Sequence, residues 1–171
     1  MTAIDPTHTY YNPKNSGHRD SLANGEEFQD FATDVLRICR GFIVQNYTSR
    51  KYQRKVGEGP QRIEFKRDNH CTKSKRLSVE IAEKFDENDP NWKASGIFHW
   101  HNPIFYVQGN FEEIWVFLTR DLKKLAYDPK YERKTEETLK AFYLPFSECL
   151  MYSIFRIERE EIEKAKIFLK L

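Results

Sequence analysis

The sequence predicts an α/β (α+β) protein, a central mixed β-sheet flanked by helices, and three observations carry that prediction. Phe28, Phe31, Ala32, Val35, Leu36 and Cys39 recur at helical spacing. Short apolar or alternating runs, separated by Gly, Pro, Asn and Asp, fill residues 62–118. Residues 158–171 carry Ile162, Ala165, Ile167, Phe168 and Leu169 among alternating charges and read as an amphipathic closing helix. A length of 171 residues suits one domain with a sizeable core.

Residues 1–24 are polar and aperiodic and read as an N-terminal arm, extended or partly disordered; residues 25–171 read as a single domain. Asn24-Gly-Glu-Glu27 opens the first helix and Gly41 stops it. Residues 42–44 form a short apolar segment, expected to be a strand, and residues 47–55 are basic with interleaved tyrosines. Residues 57–60 are a Gly-Pro loop. Residues 62–68 and 78–84 are expected to pair as a hairpin across a polar, basic loop. After a loop at 86–91, strands are expected at 96–98, 104–108 and 114–118, the last two turning at Gly109-Asn110. A helical turn at 122–126, a helix at 135–143, a strand at 151–157 and a helix at 158–171 complete the expected order.

Composition excludes more than it identifies. Twenty-eight basic and 26 acidic side chains leave a net charge of +2, so only the clustering of charge argues for a nucleic-acid partner. Three widely spaced cysteines, Cys39, Cys71 and Cys149, with no CxxC, read as reduced thiols. No signal-peptide pattern or membrane-length apolar run is present, so a soluble cytoplasmic protein with no membrane partner is expected. Gly-rich phosphate loops, GxSxG and HExxH are absent, which sets aside P-loop, serine acyl-transfer and zinc-peptidase chemistry.

The two charged strands carry the functional reading. Alternation sends Ile63 and Phe65 to one face and Glu64, Lys66 and Asp68 to the other. In the second strand Val79 and Ile81 oppose Ser78, Glu80 and Lys84. Three carboxylates and two ammonium groups on one face are costly unless solvated or ligated to a metal, although charged edge strands also occur simply to prevent aggregation. His99 and His101 share a face of an extended segment, but zinc-like ligand spacing with His70 and Cys71 is missing, so they read as DNA contacts or exposed surface. Phe105, Tyr106, Trp115 and Phe117 read as core.

An acidic helix, then Arg62-Ile63-Glu64-Phe65-Lys66-Arg67-Asp68, then Val79-Glu80-Ile81-Ala82-Glu83-Lys84 resembles the PD-(D/E)XK nuclease superfamily. The likeness is to its small phage, homing and restriction-type endonucleases, and it extends over about residues 25–125. The resemblance implies a restriction-endonuclease-like core and Mg²⁺-dependent hydrolysis of DNA phosphodiester bonds, with Mn²⁺ able to substitute. It makes Asp68, Glu80 and Glu27 the metal ligands, although Glu27 also fits a capping box with Asn24. Ala82 stands where the family has its lysine, so that role passes to Lys66, which is favoured, or to Lys84. Gln53 is a further candidate at the phosphate or the attacking water.

Arg50, Lys51, Arg54, Lys55, Lys73, Lys75 and Arg76 are the candidate DNA-backbone contacts. A site-specific restriction or homing enzyme of phage or mobile-element origin implies double-stranded DNA as partner, no small-molecule cofactor and a homodimer. The apolar stretch 104–118 or the closing helix would supply the subunit contact. The alternative is a catalytically inactive nucleic-acid-binding module on the same fold.

Overall fold

Side-chain alternation along two neighbouring strands sets the architecture, because it gives both faces of one sheet an apolar surface to bury. The computed structural model describes residues 16–45 and 60–170, with side chains from residue 25 onward. In chain order the elements are α1 (Ser16–Arg40), β1 (Ile63–Arg67), α2 (Cys71–Ser74), β2 (Arg76–Glu83), β3 (Lys93–Ala94), a 3-10 turn (Gly96–Phe98), β4 (Phe105–Gly109), β5 (Ile114–Leu118), α3 (Thr119–Leu125), β6 (Arg133–Thr135), β7 (Leu139–Pro145), α4 (Phe146–Tyr152), β8 (Ser153–Ile157) and α5 (Arg159–Leu169).

The strands form two four-stranded sheets flanked by helices, a mixed α/β fold. The first has the order β1-β4-β5-β8 and is mixed, since β1 runs parallel to β4 while β5 is antiparallel to β4 and β8. The second has the order β3-β2-β7-β6 and is antiparallel throughout.

The mixed sheet is the middle layer. One face, carrying Ile63, Phe65, Val107, Ile114, Val116 and Ile157, packs on Phe28, Phe31, Ala32, Val35 and Leu36 of α1 and on Ile162 and Ala165 of α5. The other face presents Tyr106, Trp115 and Phe117 to Leu77, Val79, Phe142 and Leu144 of the antiparallel sheet and to Leu122 and Leu125 of α3. Each fully buried large side chain contributes about 1.5–3 kcal/mol. The ends of α1 and α5 are tied by Arg40, whose guanidinium donates to both Glu161 carboxylate oxygens and to the Arg156 carbonyl.

Several expectations change. Helix α1 begins at Ser16, taking in part of the expected arm and removing Asn24 as its cap. Residues 42–44 are not a strand, and 96–98 is a 3-10 turn. Charged residues at 135–140 suggest a helix, yet that region holds β6 and β7, because Phe142 and Leu144 alternate into the core beside Val79 and Leu77. Most consequentially, β1 and β2 are not a hairpin: they belong to different sheets, with α2 between them in sequence. Most of β4 and β5 is buried, although Ile104 at the start of the 104–118 stretch is exposed. None of the described helices is long and apolar enough to cross a membrane.

Gly96 holds the 3-10 turn against β2. Its φ is +53°, and a Cβ there would run into the carbonyl oxygen and Cβ of Glu80. Gly96→Ala is therefore expected to cost at least about 1–2 kcal/mol, from left-handed strain plus backbone displacement. Urea denaturation measures it, and an unchanged midpoint would show that the turn does not depend on this close approach.

Candidate functional site

The polar face of β1 meets the antiparallel sheet where the apolar layer between the sheets ends. Glu64 and Lys66 sit in register with Tyr106 and Gln108 of β4, and all four point away from α1. Beside them, β2 has no strand partner among the described residues on one edge along residues 76–80, since β3 pairs only with Ala82 and Glu83. A bulge at Ile81, the extra residue opposite the step from Ala141 to Lys140, follows directly. The open edge of β2 thus meets the polar face of the mixed sheet, through Asp68 and Gln108.

Lys66 is the centre of the resulting cluster. Its Nζ lies 3.1 Å from Glu80 and 3.3 Å from Glu64, with 28 % of the side chain exposed. Glu80 also accepts a short hydrogen bond from the Ser95 hydroxyl. The other Glu64 oxygen is 3.0 Å from His101 Nε2, and both side chains are over nine-tenths buried. The His99 ring stacks near His101, with centroids 4.2 Å apart. His99 Nδ1, His101 Nδ1 and the Tyr106 hydroxyl are buried without a hydrogen-bond partner among the described residues.

Charge explains the titration of these groups. Burial pushes the Glu64 carboxyl up, but the Lys66 ammonium and the His101 hydrogen bond outweigh it, so Glu64 stays below the ordinary carboxylate range. Burial works against the Lys66 ammonium, yet Glu80 and Glu64 hold its pKa well above the usual lysine value. Burial lowers His99, assisted by the nearby His101 and Lys66 and opposed by Glu64. An imidazole kept neutral has a lone pair available for a proton or a metal. Desolvation raises Tyr106, so its phenol stays protonated.

The structure brings Lys66 and Glu80 together and gives Asp68 other work. Asp68 Oδ1 accepts from the His70 N–H at 3.1 Å, and Oδ2 accepts from the Ser78 N–H at 2.9 Å and from Gln108 Nε2 at 3.3 Å. Gln108 Nε2 also donates to the Ser78 carbonyl at 2.8 Å. Asp68 and Gln108 thereby satisfy both backbone groups of Ser78 on the open edge of β2 and fasten the two sheets together. Glu27 is two-thirds exposed and pairs with Arg67 at 3.5 Å, on the α1 side of the sheet and across it from Lys66. Its capping-box role disappears because Glu27 lies inside α1.

Lys84 leans away from the cluster, donating to the Glu87 carbonyl and lying 5.2 Å from the Trp92 ring centre. Of the expected DNA contacts, Lys73 and Lys75 are exposed at α2 and its end, whereas Arg76 stacks on Tyr143 at 3.6 Å and pairs with Glu132. Gln53, Arg50, Lys51, Arg54 and Lys55 fall outside the described residues.

Among the described residues, the one group of three metal-ligand side chains with donor atoms mutually within 4.8 Å is Glu64, His99 and His101. In the sequence Glu64 lies on the charged face with no role assigned, and the two histidines read as DNA contacts or exposed surface. The signal was the buried position of Glu64 next to Ile63 and Phe65; its partner 37 residues downstream carried no local mark. An oxygen cage for Mg²⁺ would draw on Asp68, Glu80 and Glu27. Asp68 spends both oxygens on N–H donors, Glu80 spends its own on Lys66 and Ser95, and Glu27 lies across the sheet, so these three do not fit that ion. No family model, curated protein or solved structure matches the chain.

Asp68→Asn is expected to destabilise the fold in metal-free buffer. The amide would set an NH₂ against an N–H donor and forfeit charge-assisted bonds, at about 2–3 kcal/mol. That lowers the melting temperature by roughly 5–10 °C for a chain of this size. An unaltered melt would mean Asp68 does not hold the sheets together.

Proposed function

We propose that this protein is a metal-dependent endonuclease that hydrolyses DNA phosphodiester bonds, with its reactive centre at the cluster around Lys66. The observation that carries the reading is the Lys66 ammonium held between Glu80 and Glu64 at 3.1 and 3.3 Å. That triad is the chemical partnership expected from the likeness of residues 62–84 to PD-(D/E)XK nucleases, with Glu64 in place of Asp68. Lys66 is partly exposed, so a phosphate can reach it, and an ammonium fixed by two carboxylates is pre-set to meet charge developing on phosphate oxygens. A bound divalent ion would supply Lewis acidity and a more acidic water. Ser95 orients Glu80, and His101 orients Glu64.

Exposed Lys73 and Lys75, on the loop that leads into β2, would contact the DNA backbone and make binding weaken as salt rises. Cutting both strands suits a two-fold dimer, for which the exposed Ile167 and Phe168 of α5 are the better contact. A second reading, a non-catalytic DNA-binding module, is favoured by one observation: the Asp68 carboxylate is fully engaged by N–H donors.

Supercoiled plasmid incubated with the protein and a divalent ion is expected to be nicked or linearised. Lys66→Gln should cut about 10²-fold more slowly, with Lys66→Arg intermediate and native melting used to confirm folding. Intact plasmid with a retarded band would favour the second reading, and neither change would remove both.

A further inference from the structure

The Glu64, His99 and His101 side chains converge from two places in the chain, yet two imidazoles and one carboxylate are not the donor set of a hard ion. We infer that they form a binding site for a borderline divalent transition ion of the Zn²⁺/Co²⁺ class, and that Mg²⁺ is a poor occupant. The inference deepens the proposed nuclease function and rests on it only for what the ion would do.

Four features point to such an ion. Imidazole nitrogen suits Zn²⁺, Co²⁺ and their neighbours, whereas Mg²⁺ takes oxygen ligands in a rigid octahedron. The donor atoms lie within 4.8 Å of one another, and Glu64 and His101 are 3.0 Å apart. Ligands on a tetrahedral ion with bonds of about 2.0–2.1 Å stand roughly 3.3 Å apart, so binding needs only a small opening of that pair. His101 is 4 % exposed and its Nε2 faces Glu64, while His99 Nδ1 is buried with no hydrogen-bond partner among the described residues. Finally, Glu64 and Glu80 share the single ammonium of Lys66, with Glu83 also near, so carboxyl groups outnumber the cation beside them.

Three protein ligands leave a fourth position for water or a phosphate oxygen, as catalytic rather than structural zinc sites do. The site lies next to Lys66 through the shared Glu64 carboxylate. A phosphate reaching that open position would therefore also meet the ammonium. The backbone helps to place the ligands: Asn102 has φ +49°, and its N–H donates to the His99 carbonyl at 2.9 Å, closing a turn around His101.

The test uses the full chain stripped of metal and titrated separately with Zn²⁺, Co²⁺ and Mg²⁺. Competition against a chromogenic chelator reads affinity, and visible Co²⁺ absorption reads ligand type. One equivalent of Zn²⁺ or Co²⁺ should bind at least ~100-fold more tightly than Mg²⁺ and raise the melting temperature. His99→Ala and Glu64→Gln should each weaken Zn²⁺ binding roughly 100-fold. His99→Ala is the variant to rely on if loss of buried Glu64 unfolds the chain. Equal affinity for Mg²⁺, or Zn²⁺ binding unchanged in folded His99→Ala, overturns the inference. Plasmid cleavage with Mg²⁺ alone and no Zn²⁺ binding would overturn the metal assignment while sparing the nuclease reading. Tight Zn²⁺ binding with uncut DNA would do the reverse.

Discussion

The open edge of a strand must satisfy its backbone groups, and in this protein side chains do so in place of another strand. The open edge of β2 meets side chains from the polar face of the mixed sheet, and the N–H and C=O of Ser78 are taken by Asp68 and Gln108. A buried, unpaired peptide group would cost about 1–3 kcal/mol, so this polar stitch closes the edge of β2 against the mixed sheet. The apolar layer between the sheets stops there, and the space beyond the stitch is where charged side chains collect. The position of the Lys66 cluster is thus a consequence of how the edge of β2 is closed.

Inside that space the charges hold one another in place. Glu64 is buried and ionised only because Lys66 and His101 stand beside it, and Lys66 keeps its proton because two carboxylates surround it. Removing Lys66 leaves Glu64 and Glu80 without their shared cation, which is more costly than the pairing is stabilising. The bulge at Ile81 and the close seat of Gly96 on Glu80 bring Ser95 onto the Glu80 carboxylate. Backbone irregularity and charge therefore position the same residue. Arrangements of this kind are usual for sites where chemistry, rather than packing, selects the side chains.

The charged strands were legible as elements but not as partners. Ile63, Glu64, Phe65 and Lys66 alternate in sequence as they alternate in space; α1 buries the residues that its helical spacing marks, while α5 buries Ile162 and Ala165 and leaves Ile167 and Phe168 exposed. Asp68 was misread because a carboxylate closing a strand edge and one holding an ion have the same sequence context. The helix expected at residues 135–143 followed local propensity, which tertiary packing of Phe142 and Leu144 overrode. His101 gives no sign of its burial, because the irregular segment after the 3-10 turn lacks the periodicity that marks a buried face.

The sequence by itself determined which faces of α1, β1 and β2 are apolar and that β1 carries Glu64 and Lys66 on one side. Those properties depend on the repeat of the backbone, which short stretches of residues express in full. Only the tertiary structure decided that β1 joins β4 instead of β2, that Asp68 fastens the sheets, and that His99 and His101 arrive beside Glu64. Those outcomes depend on contacts between residues about 10–40 positions apart, whose free energy is set by the whole packed core and appears in no local pattern.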